Sequence, residues 1–277
     1  MKNFNQKIIV ITGAGSGMGR YMAIRLAAEG ATVLLSDINE EGLNETKSMI
    51  EEGKGLCKTY KVDVGDKEQV YAFAASVIAE FKYIDVLINN AGMSIGEATL
   101  NEIPLADFEK LINVNMWGVI HHTKAFLDVM LTRPEAAIVN TSSVFGLMGI
   151  PSQIPYCVSK FAVRGFTDSL RLELKGTNVA VTCVHPGGID TNIVSNGIHY
   201  KDKEATVAQF KRVVITSADK AAAIIISAIQ KKSKRVMVGP DAKLIRFMTQ
   251  LSPNTVDRVI LKRKADFDRK KALNKTT

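Results

Sequence analysis

The run Lys7-Ile8-Ile9-Val10-Ile11-Thr12 continues directly into Gly13-Ala14-Gly15-Ser16-Gly17-Met18-Gly19. A near-continuous apolar run of this length predicts a β-strand that is buried on both faces, as in a parallel sheet. The glycines permit a tight turn and let backbone N–H groups at the start of the next helix approach a pyrophosphate. The spacing is TGxxxGxG rather than GxGxxG, and a plain strand-to-helix turn is the alternative interpretation.

The rest of the chain repeats this alternation of short apolar runs and longer helical patterns. Strands are predicted at 7–12, 32–36, 58–62, 84–89, 137–142, 179–184 and 235–238. Helices are predicted at 17–28, 40–51, 67–81, 105–131, 155–174 and 218–231. The alternation predicts an α/β fold, with a single doubly wound domain of about seven parallel strands and helices on both faces.

Domain boundaries follow from the same pattern. No repeat, low-complexity tract or interdomain linker interrupts it, so we predict one domain over residues 1–250. Residues 192–216 are polar and irregular and are expected to form a substrate lid. Residues 244–248 and 256–264 have amphipathic helical patterns with basic faces, which predicts a basic helical extension over 251–277.

The net charge of +8 is concentrated near the C-terminus, where residues 230–277 contain 14 Lys and Arg against 4 Asp and Glu. Such a segment fits an anionic membrane surface as a peripheral partner, or a solvated helix that keeps the protein soluble. No aromatic-rich nucleic-acid motif accompanies the charge, so nucleic acid is not expected as a partner.

The cysteines and histidines predict no metal site. Cys57, Cys157 and Cys183 form no CxxC or zinc-ligand pattern, and no histidine has a ligand partner at useful spacing. The sequence shows no signal-peptide core and no run of about 18 apolar residues. A reducing, cytoplasmic location is therefore expected.

Asp37 ends the second predicted strand, 18 positions after Gly19. A carboxylate there can accept hydrogen bonds from adenosine ribose hydroxyls and would repel a 2′-phosphate. Neither Ser16 nor Ile38 supplies a compensating cation, so NAD is favoured as the cofactor over NADP. The alternative is that Asp37 only caps the following helix.

Two other segments that follow predicted strands are candidate cofactor contacts. Asp63 and Val64, after the third strand, are expected beside the adenine. Asn90, Ala91 and Gly92, after the fourth strand, carry short side chains or none, which suits a backbone that passes close to the ribose.

Tyr156 and Lys160 are four residues apart, so on a helix both polar ends reach one spot. A neighbouring ammonium favours the phenolate and lowers the pKa of a tyrosine. Such a pair can exchange a proton with an alcohol near neutral pH. By itself the spacing is more often a solvated helix face.

In order along the chain, these motifs resemble the short-chain dehydrogenase/reductase family, in its TGxxxGxG/YxxxK subgroup. The matching features cover about residues 7–191 and are TGAGSGMG at 12–19, Asp37, Asp63, NNAG at 89–92, Asn115, Ser142-Ser143, Tyr156, Lys160 and Pro186–Thr191. The resemblance implies a Rossmann-type fold and a dinucleotide cofactor. It also implies that the cofactor-binding residues are Gly13, Ser16, Gly17, Met18, Gly19, Asp37, Asp63, Val64, Asn90, Ala91, Gly92, Tyr156, Lys160, Pro186, Gly187, Ile189 and Thr191.

The resemblance further implies a catalytic tetrad of Asn115, Ser143, Tyr156 and Lys160. The family's serine stands 13 residues before the tyrosine, which selects Ser143 over Ser142. Ser143 would hold the substrate oxygen, Tyr156 would exchange a proton with it, and Lys160 would lower the pKa of Tyr156 and bind ribose hydroxyls. Asn115, through its backbone carbonyl at a break in the long helix, would anchor a water that connects Lys160 to solvent. The alternatives are a strand-end turn for the serines and a helix irregularity for Asn115.

The residues expected around the substrate are Ser143, Ile95, Phe145, Ile150 and Ile193. They are mostly apolar, which favours an uncharged, fairly hydrophobic substrate.

The predicted function is an NAD-dependent oxidoreductase that interconverts a secondary alcohol and a ketone. The alternative is a non-catalytic dinucleotide sensor that is tethered through its basic tail. The resemblance implies a homodimer or homotetramer built on the helices that contain Asn115 and Tyr156.

Overall fold

The computed structural model describes residues 1–273, in which strands and helices alternate as predicted. The strands are β1 Ile8–Thr12, β2 Thr32–Asp37, β3 Leu56–Lys61, β4 Val86–Asn89, β5 Ala136–Thr141, β6 Val179–Pro186, β7 Ile189–Asp190, β8 Thr216–Ser217 and β9 Arg235–Val238. The helices are α1 Gly17–Ala28, α2 Glu40–Glu52, α3 Lys67–Phe81, α4 Leu105–Ile112, α5 Gly118–Leu131, α6 Ile154–Glu173, α7 Lys203–Val213, α8 Ala218–Gln230, α9 Pro240–Leu251 and α10 Pro253–Leu273.

The main sheet has seven parallel strands in the order β3-β2-β1-β4-β5-β6-β9. The direction of the strand order reverses between β1 and β4, so a crevice opens at the carboxyl ends of these strands, where open α/β sheets bind ligands. All seven predicted strands are confirmed.

Two apolar clusters cover the faces of the sheet, as expected for strands buried on both sides. One cluster includes Ile9 and Ile11 of β1 with Ile225 of α8, and the other includes Val10 of β1 with Phe126 of α5. The alternate side chains of a single strand therefore enter opposite cores.

The long helix predicted over residues 105–131 is interrupted, as expected around Asn115. A π-helical turn, Asn113–Trp117, separates α4 from α5. Such turns are rare and are frequent at functional sites.

The segment 192–216 is not irregular throughout, which corrects that part of the prediction. It contains α7, whose first turn is capped by Asp202, because the Asp202 carboxylate accepts a hydrogen bond from the Ala205 N–H. After it, β8 pairs with β7 in a separate two-stranded sheet. None of the helices described within residues 1–273 combines the length and apolar character that a bilayer-crossing helix needs.

Candidate active site

The glycine-rich loop packs so closely that two of its glycines have no room for a side chain. Gly13 has a φ of +66°, and a Cβ there would lie 2.8 Å from Ala91 Cα. A Cβ on Gly19 would collide with the Gly13 carbonyl and would lie 2.8 Å from Asn90 Nδ2. The loop between β1 and α1 therefore depends on glycine for its fold as well as for ligand approach.

Thr12 and Asn90 lock this loop to the segment after β4. The Thr12 hydroxyl accepts hydrogen bonds from the backbone N–H groups of Asn90 and Ala91, both at 3.0 Å. The Asn90 amide donates to the carbonyls of Thr12 at 3.1 Å and Gly13 at 3.2 Å. The two loops that the sequence predicted to share a cofactor are thus one rigid unit.

The N-terminus of α1 is suited to an anion. Ser16 occupies the N-cap position, but its side chain makes no capping hydrogen bond, and the first turn contains no acidic residue. The first backbone N–H groups of a helix lack intrahelical acceptors and favour phosphate groups. Gly17 faces Thr191, since a Cβ there would lie 3.0 Å from Thr191 Cγ2, and Met18 packs against the core behind the loop. The residues present therefore fit a dinucleotide pyrophosphate.

Asp37 lies at the end of β2, directly beside this loop. Its carboxylate accepts hydrogen bonds from Gly15 N at 2.9 Å and Asn39 N at 2.9 Å. The cap of α2 is Asn39, whose side chain accepts from Gly42 N. The alternative in which Asp37 is the helix cap is therefore wrong. A ribose contact is compatible with this position and stays a prediction.

Arg20, a cation not considered in the prediction, lies beside the same loop. Its guanidinium donates to the carbonyls of Gly15 and Gly42 and to the Glu45 carboxylate. These hydrogen bonds link α1 to α2 and occupy the guanidinium.

Asp63 and Val64 follow β3. One Asp63 oxygen accepts from Gly65 N at 2.8 Å, while Val64 is buried against Gly118 of α5. The turn is held rigid and its contact with adenine stays a prediction.

Asn115, in the π-helical turn, is fully buried. Its Oδ1 accepts from Met93 N at 2.8 Å, and its Nδ2 donates to Met93 O at 3.0 Å and to Ser159 Oγ at 3.1 Å. A Cβ on Gly92 would lie 3.2 Å from Asn115 Oδ1 and 3.3 Å from Lys160 Nζ. Asn115, Gly92 and Lys160 therefore lie close together, and their roles at the cofactor stay predictions.

The two serines after β5 have different surroundings. The Ser142 hydroxyl donates to the Lys160 carbonyl at 2.7 Å. The Ser143 hydroxyl accepts from Phe145 N at 3.1 Å, and it lies near enough to the Tyr156 hydroxyl to act on the pKa of that phenol. Ser143 is thus the serine that shares a site with Tyr156.

Tyr156 keeps some solvent-exposed surface, although protein atoms crowd its hydroxyl. Burial raises the pKa of Tyr156 to about 12, and the neighbouring Ser143 hydroxyl opposes this rise. The direction is opposite to the lowered pKa that the sequence predicted. Lys160 Nζ lies 5.5 Å from the centroid of the tyrosine ring and donates to Thr141 O at 3.2 Å, so it does not offset the burial.

Lys160 is itself buried, with 2% of its surface exposed. Burial lowers its pKa to about 8, because a charged ammonium loses hydration in the protein interior. The Tyr156–Lys160 pair is therefore an internal, desolvated pair and not a solvated helix face.

The loop after β6 reaches the same crevice. Pro186 is the last residue of β6, and Ile189 is buried in the short strand β7. Gly187 N donates to Val238 O at 2.9 Å, and Gly188 N donates to the Asp241 carboxylate at 2.7 Å. With Thr191 against Gly17, the loop adjoins the glycine-rich segment.

An apolar wall lies next to Tyr156. The Phe145 ring packs edge-on against the Tyr156 ring with centroids 5.7 Å apart. Ile95 and Ile198 form a bridge and belong to the cluster that contacts Tyr156. Ile95 is 1% exposed, so it supports the wall from behind.

The backbone carbonyls of Ile150 and Ile193 accept hydrogen bonds within the loops around the site. The carbonyl of Ile150, in the loop before α6, accepts from Gln153 N at 3.2 Å. The Ile193 carbonyl accepts from the Ser94 hydroxyl at 2.7 Å. The five residues predicted to contact the substrate are Ser143, Ile95, Phe145, Ile150 and Ile193, and these contacts stay predictions.

Sequence reasoning missed three polar residues of this region. Ser94 Oγ and the Tyr200 hydroxyl lie 2.8 Å apart and join the segment after β4 to the predicted lid. Tyr200 also contributes to the raised pKa of Tyr156, as expected for two neighbouring phenols. Asp241 holds the loop after β6. Only the acidic first turn after Gly239-Pro240 signalled this residue.

Comparisons with known proteins agree with the geometry. A sequence model of the family described as short chain dehydrogenase matches residues 7–201. A Mycobacterium tuberculosis protein named SadH, an oxidoreductase by name, is 37% identical over 265 residues, which cover 94% of this chain and 96% of the relative. Levodione reductase of Leifsonia aquatica is 34% identical over 203 residues, covering 73% of this chain and 76% of that protein.

Among solved structures, a short chain dehydrogenase/reductase from Burkholderia phymatum in complex with NAD is similar to this fold. The TM-score is 0.84 at 29% sequence identity, with 93% of this chain and 96% of that chain covered. This chain therefore belongs to the short chain dehydrogenase family and is an NAD(P)-dependent oxidoreductase.

Proposed function

We propose that this oxidoreductase uses NAD to interconvert a secondary alcohol and a ketone, with Tyr156 as the acid/base. The observation that carries the proposal is the shared site of Ser143, Tyr156 and Lys160 beside an apolar wall. Levodione reductase, the 3-oxoacyl-[acyl-carrier-protein] reductase of Thermotoga maritima and a solved xylitol dehydrogenase support it by their names.

The residues divide into holding and reacting groups. The turn at Gly13–Gly19 and the start of α1 would hold the pyrophosphate, and Asp37 would accept hydrogen bonds from the adenosine ribose. The loop Pro186–Thr191 would hold the nicotinamide end. The bound cofactor supplies hydride chemistry, and the protein supplies placement.

Ser143 and Tyr156 would bind the oxygen of the carbonyl. With a pKa of about 12, Tyr156 is protonated at neutral pH and can donate its proton to that oxygen. Ser143 would donate a hydrogen bond to the same oxygen and hold it at the phenol. In the reverse direction the tyrosine must first lose its proton, so positive charge near the phenol would favour alcohol oxidation.

NAD is proposed over NADP because Asp37 would repel a 2′-phosphate and Arg20 is already bound to Glu45 and two carbonyls. Titration of the purified protein with both cofactors tests this. Tighter binding of NADP would show that the assignment of Asp37 is wrong. Asp37→Ser should weaken the binding of NAD and reduce the difference in affinity between NAD and NADP.

The substrate is proposed to be uncharged and fairly hydrophobic, since Phe145, Ile198 and their neighbours surround Tyr156. We treat residues 192–216 as the lid over it, because Ser94 and Tyr200 join that segment to the site.

The reaction is tested by mixing the protein with NAD and a panel of lipophilic secondary alcohols, or with NADH and the matching ketones, and following reduced-cofactor absorbance. Tyr156→Phe should abolish turnover and leave NAD binding measurable. Tyr60→Phe is the matched control, since the Tyr60 hydroxyl is buried without a partner in the described part of the chain. Full turnover by Tyr156→Phe would refute the acid/base assignment. Cofactor binding without turnover of any substrate would favour the alternative of a dinucleotide sensor.

A homo-oligomer built on the helices around the site is also proposed. Trp117, Val158 and Phe161 are 43%, 45% and 41% exposed on the π-helical turn and α6. Exposed apolar side chains of this kind are typical of interfaces. The molar mass measured by light scattering should be that of a dimer or tetramer, and Phe161→Glu should lower it. A monomeric native protein would contradict the proposal.

Peripheral contact of the residues 251–277 extension and α9 with an anionic membrane is a second candidate. Leu244, Phe247 and Leu251 are 59%, 62% and 68% exposed on one face of α9. Basic residues surround this stripe, so two copies of it would repel each other, whereas anionic lipid would attract it. Sedimentation with anionic and neutral vesicles tests this, and equal partitioning into both would dismiss it.

A cytoplasmic location remains part of the proposal. The three cysteines carry free thiols, which fits a reducing compartment.

A further inference from the structure

Asp241 occupies a position that the fold brings to the cofactor crevice. Strand β9 pairs with β6 so that Val238 lies opposite Pro186. Helix α9 begins two residues later, and Asp241 is in its first turn. The carboxyl end of β9 therefore places the Asp241 side chain against the loop that follows Pro186.

The Asp241 carboxylate is in close contact with the backbone of that loop. Gly188 N donates to Asp241 Oδ2 at 2.7 Å. A Cβ on Gly187 would collide with the carboxylate, so the two groups fit only because residue 187 is glycine. On its other side, the Gly188 carbonyl accepts from Ile215 N at 3.2 Å and Thr216 N at 3.3 Å. Gly188 is thus held through both its backbone N–H and its carbonyl.

Capping of α9 does not account for this side chain. The N-cap residue of α9 is Gly239, and the hydrogen bond that the Asp241 carboxylate accepts comes from Gly188 and not from its own helix. Its Oδ1 is buried and has no partner within the described residues. An unpartnered buried carboxylate oxygen is costly. An apolar side chain could fill the same space without this cost, which indicates that the carboxylate acts on the backbone of the loop.

We propose that Asp241 is a positioning residue for the nicotinamide half of the cofactor site. By fixing the Gly187-Gly188 backbone, it orients the Pro186–Thr191 loop toward the nicotinamide. The inference rests on the proposed cofactor role of that loop. It links the start of α9, outside the family's recognised motifs in this chain, to the reacting end of the dinucleotide.

The test compares two ligands on the full-length protein. NAD and ADP-ribose share the adenosine and pyrophosphate, but ADP-ribose lacks the nicotinamide. Asp241→Ala should weaken NAD binding roughly 10- to 100-fold, by analogy with the loss of a hydrogen bond that orients a metal ligand from behind. Its affinity for ADP-ribose should change less than about twofold. Asp241→Asn keeps an oxygen acceptor for Gly188 N and should retain most of the NAD affinity.

Asp219→Ala is the matched control, because Asp219 is also in the first turn of a helix, but its carboxylate accepts hydrogen bonds from Arg25 of α1 and not from the loop. It should leave the ratio of the two affinities unchanged. If Asp241→Ala does not fold, Asp241→Ser keeps a polar group at the start of α9, and the same ratio is measured.

The outcomes separate this inference from the proposed function. Equal weakening of both ligands in Asp241→Ala, or unchanged NAD affinity in that variant, would overturn the positioning role, and the same holds for Asp241→Ser where it takes the place of Asp241→Ala. Failure of the native protein to bind NAD or NADP would instead overturn the cofactor assignment. A loss of NAD affinity with unchanged ADP-ribose affinity supports the inference.

Discussion

Replacing Ser142 and Ser143 separately by alanine should give opposite results. The Ser142 hydroxyl donates to the carbonyl of Lys160, within α6, and is packed beside Gly146. The Ser143 hydroxyl instead lies beside the Tyr156 hydroxyl and acts on its pKa. We therefore expect a structural role for Ser142 and a catalytic role for Ser143, and one experiment can separate the two.

The magnitudes follow from these contacts. Ser142→Ala removes one buried hydrogen bond, and the Lys160 carbonyl keeps its place in the ladder of α6, so the free energy of unfolding should fall by about 1 kcal/mol. Its kcat should stay within about threefold of the native value. Ser143→Ala removes a donor to the reacting oxygen, which costs roughly 100- to 1,000-fold in kcat at comparable sites. It also removes the contact with Phe145 N, at a cost of about 1 kcal/mol.

Urea unfolding and steady-state turnover on one substrate give both quantities for each variant. NAD affinity should be unchanged in both. A comparable loss of kcat in the two variants would refute the assignment of separate tasks. A larger loss for Ser142→Ala would mean that the spacing rule selected the wrong serine. Ser143→Thr, which keeps a hydroxyl, should recover part of the activity.

Acid should destabilise the protein, because burial lowers the pKa of His122 and of His185 to about 4, so both stay neutral when folded. Unfolding then takes up protons as the pH falls from about 6.5 toward 4, and the free energy of unfolding should decrease by up to about 3 kcal/mol for each histidine. Urea unfolding at several pH values checks this, and His122→Gln should flatten the pH dependence; an unchanged slope would contradict it. Gly19→Ala should weaken NAD binding more than about tenfold, since its Cβ would collide with the Gly13 carbonyl. Gly165→Ala has open space and should raise stability by about 0.5–1 kcal/mol, and loss of NAD binding there would count against the steric argument.

The strands and most helices could be predicted because their signals are local. An apolar run such as Ile8–Ile11, buried on both sides, has few alternatives once glycine and a helical pattern follow it. Helices α1 and α3 begin and end at the predicted residues. The right-handed crossover of each βαβ unit then limits the strand orders that are possible.

The missed contacts depend on pairings between distant segments. Ser94 and Tyr200 are 106 residues apart, and Gly188 and Asp241 are 53 apart. Neither pair has a local pattern, since each forms only when two loops reach the same end of the sheet. The helix α7 was missed for another reason: its charged residues resemble a polar loop, and the Asp202 cap that starts it is a weak signal.

The pKa of Tyr156 shows where motif reasoning is insufficient. From the spacing alone, Lys160 acts on the phenol as a nearby charge and lowers its pKa. In the fold, the same packing that brings the two together also removes water from both, so desolvation raises the pKa of the phenol and lowers that of the ammonium. Spacing predicts which groups meet, but burial decides their protonation.

The hydrogen bonds of the Asn115 side chain limit the further ligands that it can bind. Both Nδ2 hydrogens are used, on Met93 O and Ser159 Oγ, and Oδ1 already accepts from Met93 N. An asparagine amide has two donors and one oxygen acceptor, so little capacity remains for a water or a ligand. Any link from Lys160 to solvent through Asn115 must therefore use its backbone carbonyl. The π-helical turn supplies the local departure from regular helix that such a link requires, and the side chain stabilises the turn by fixing it to the segment after β4.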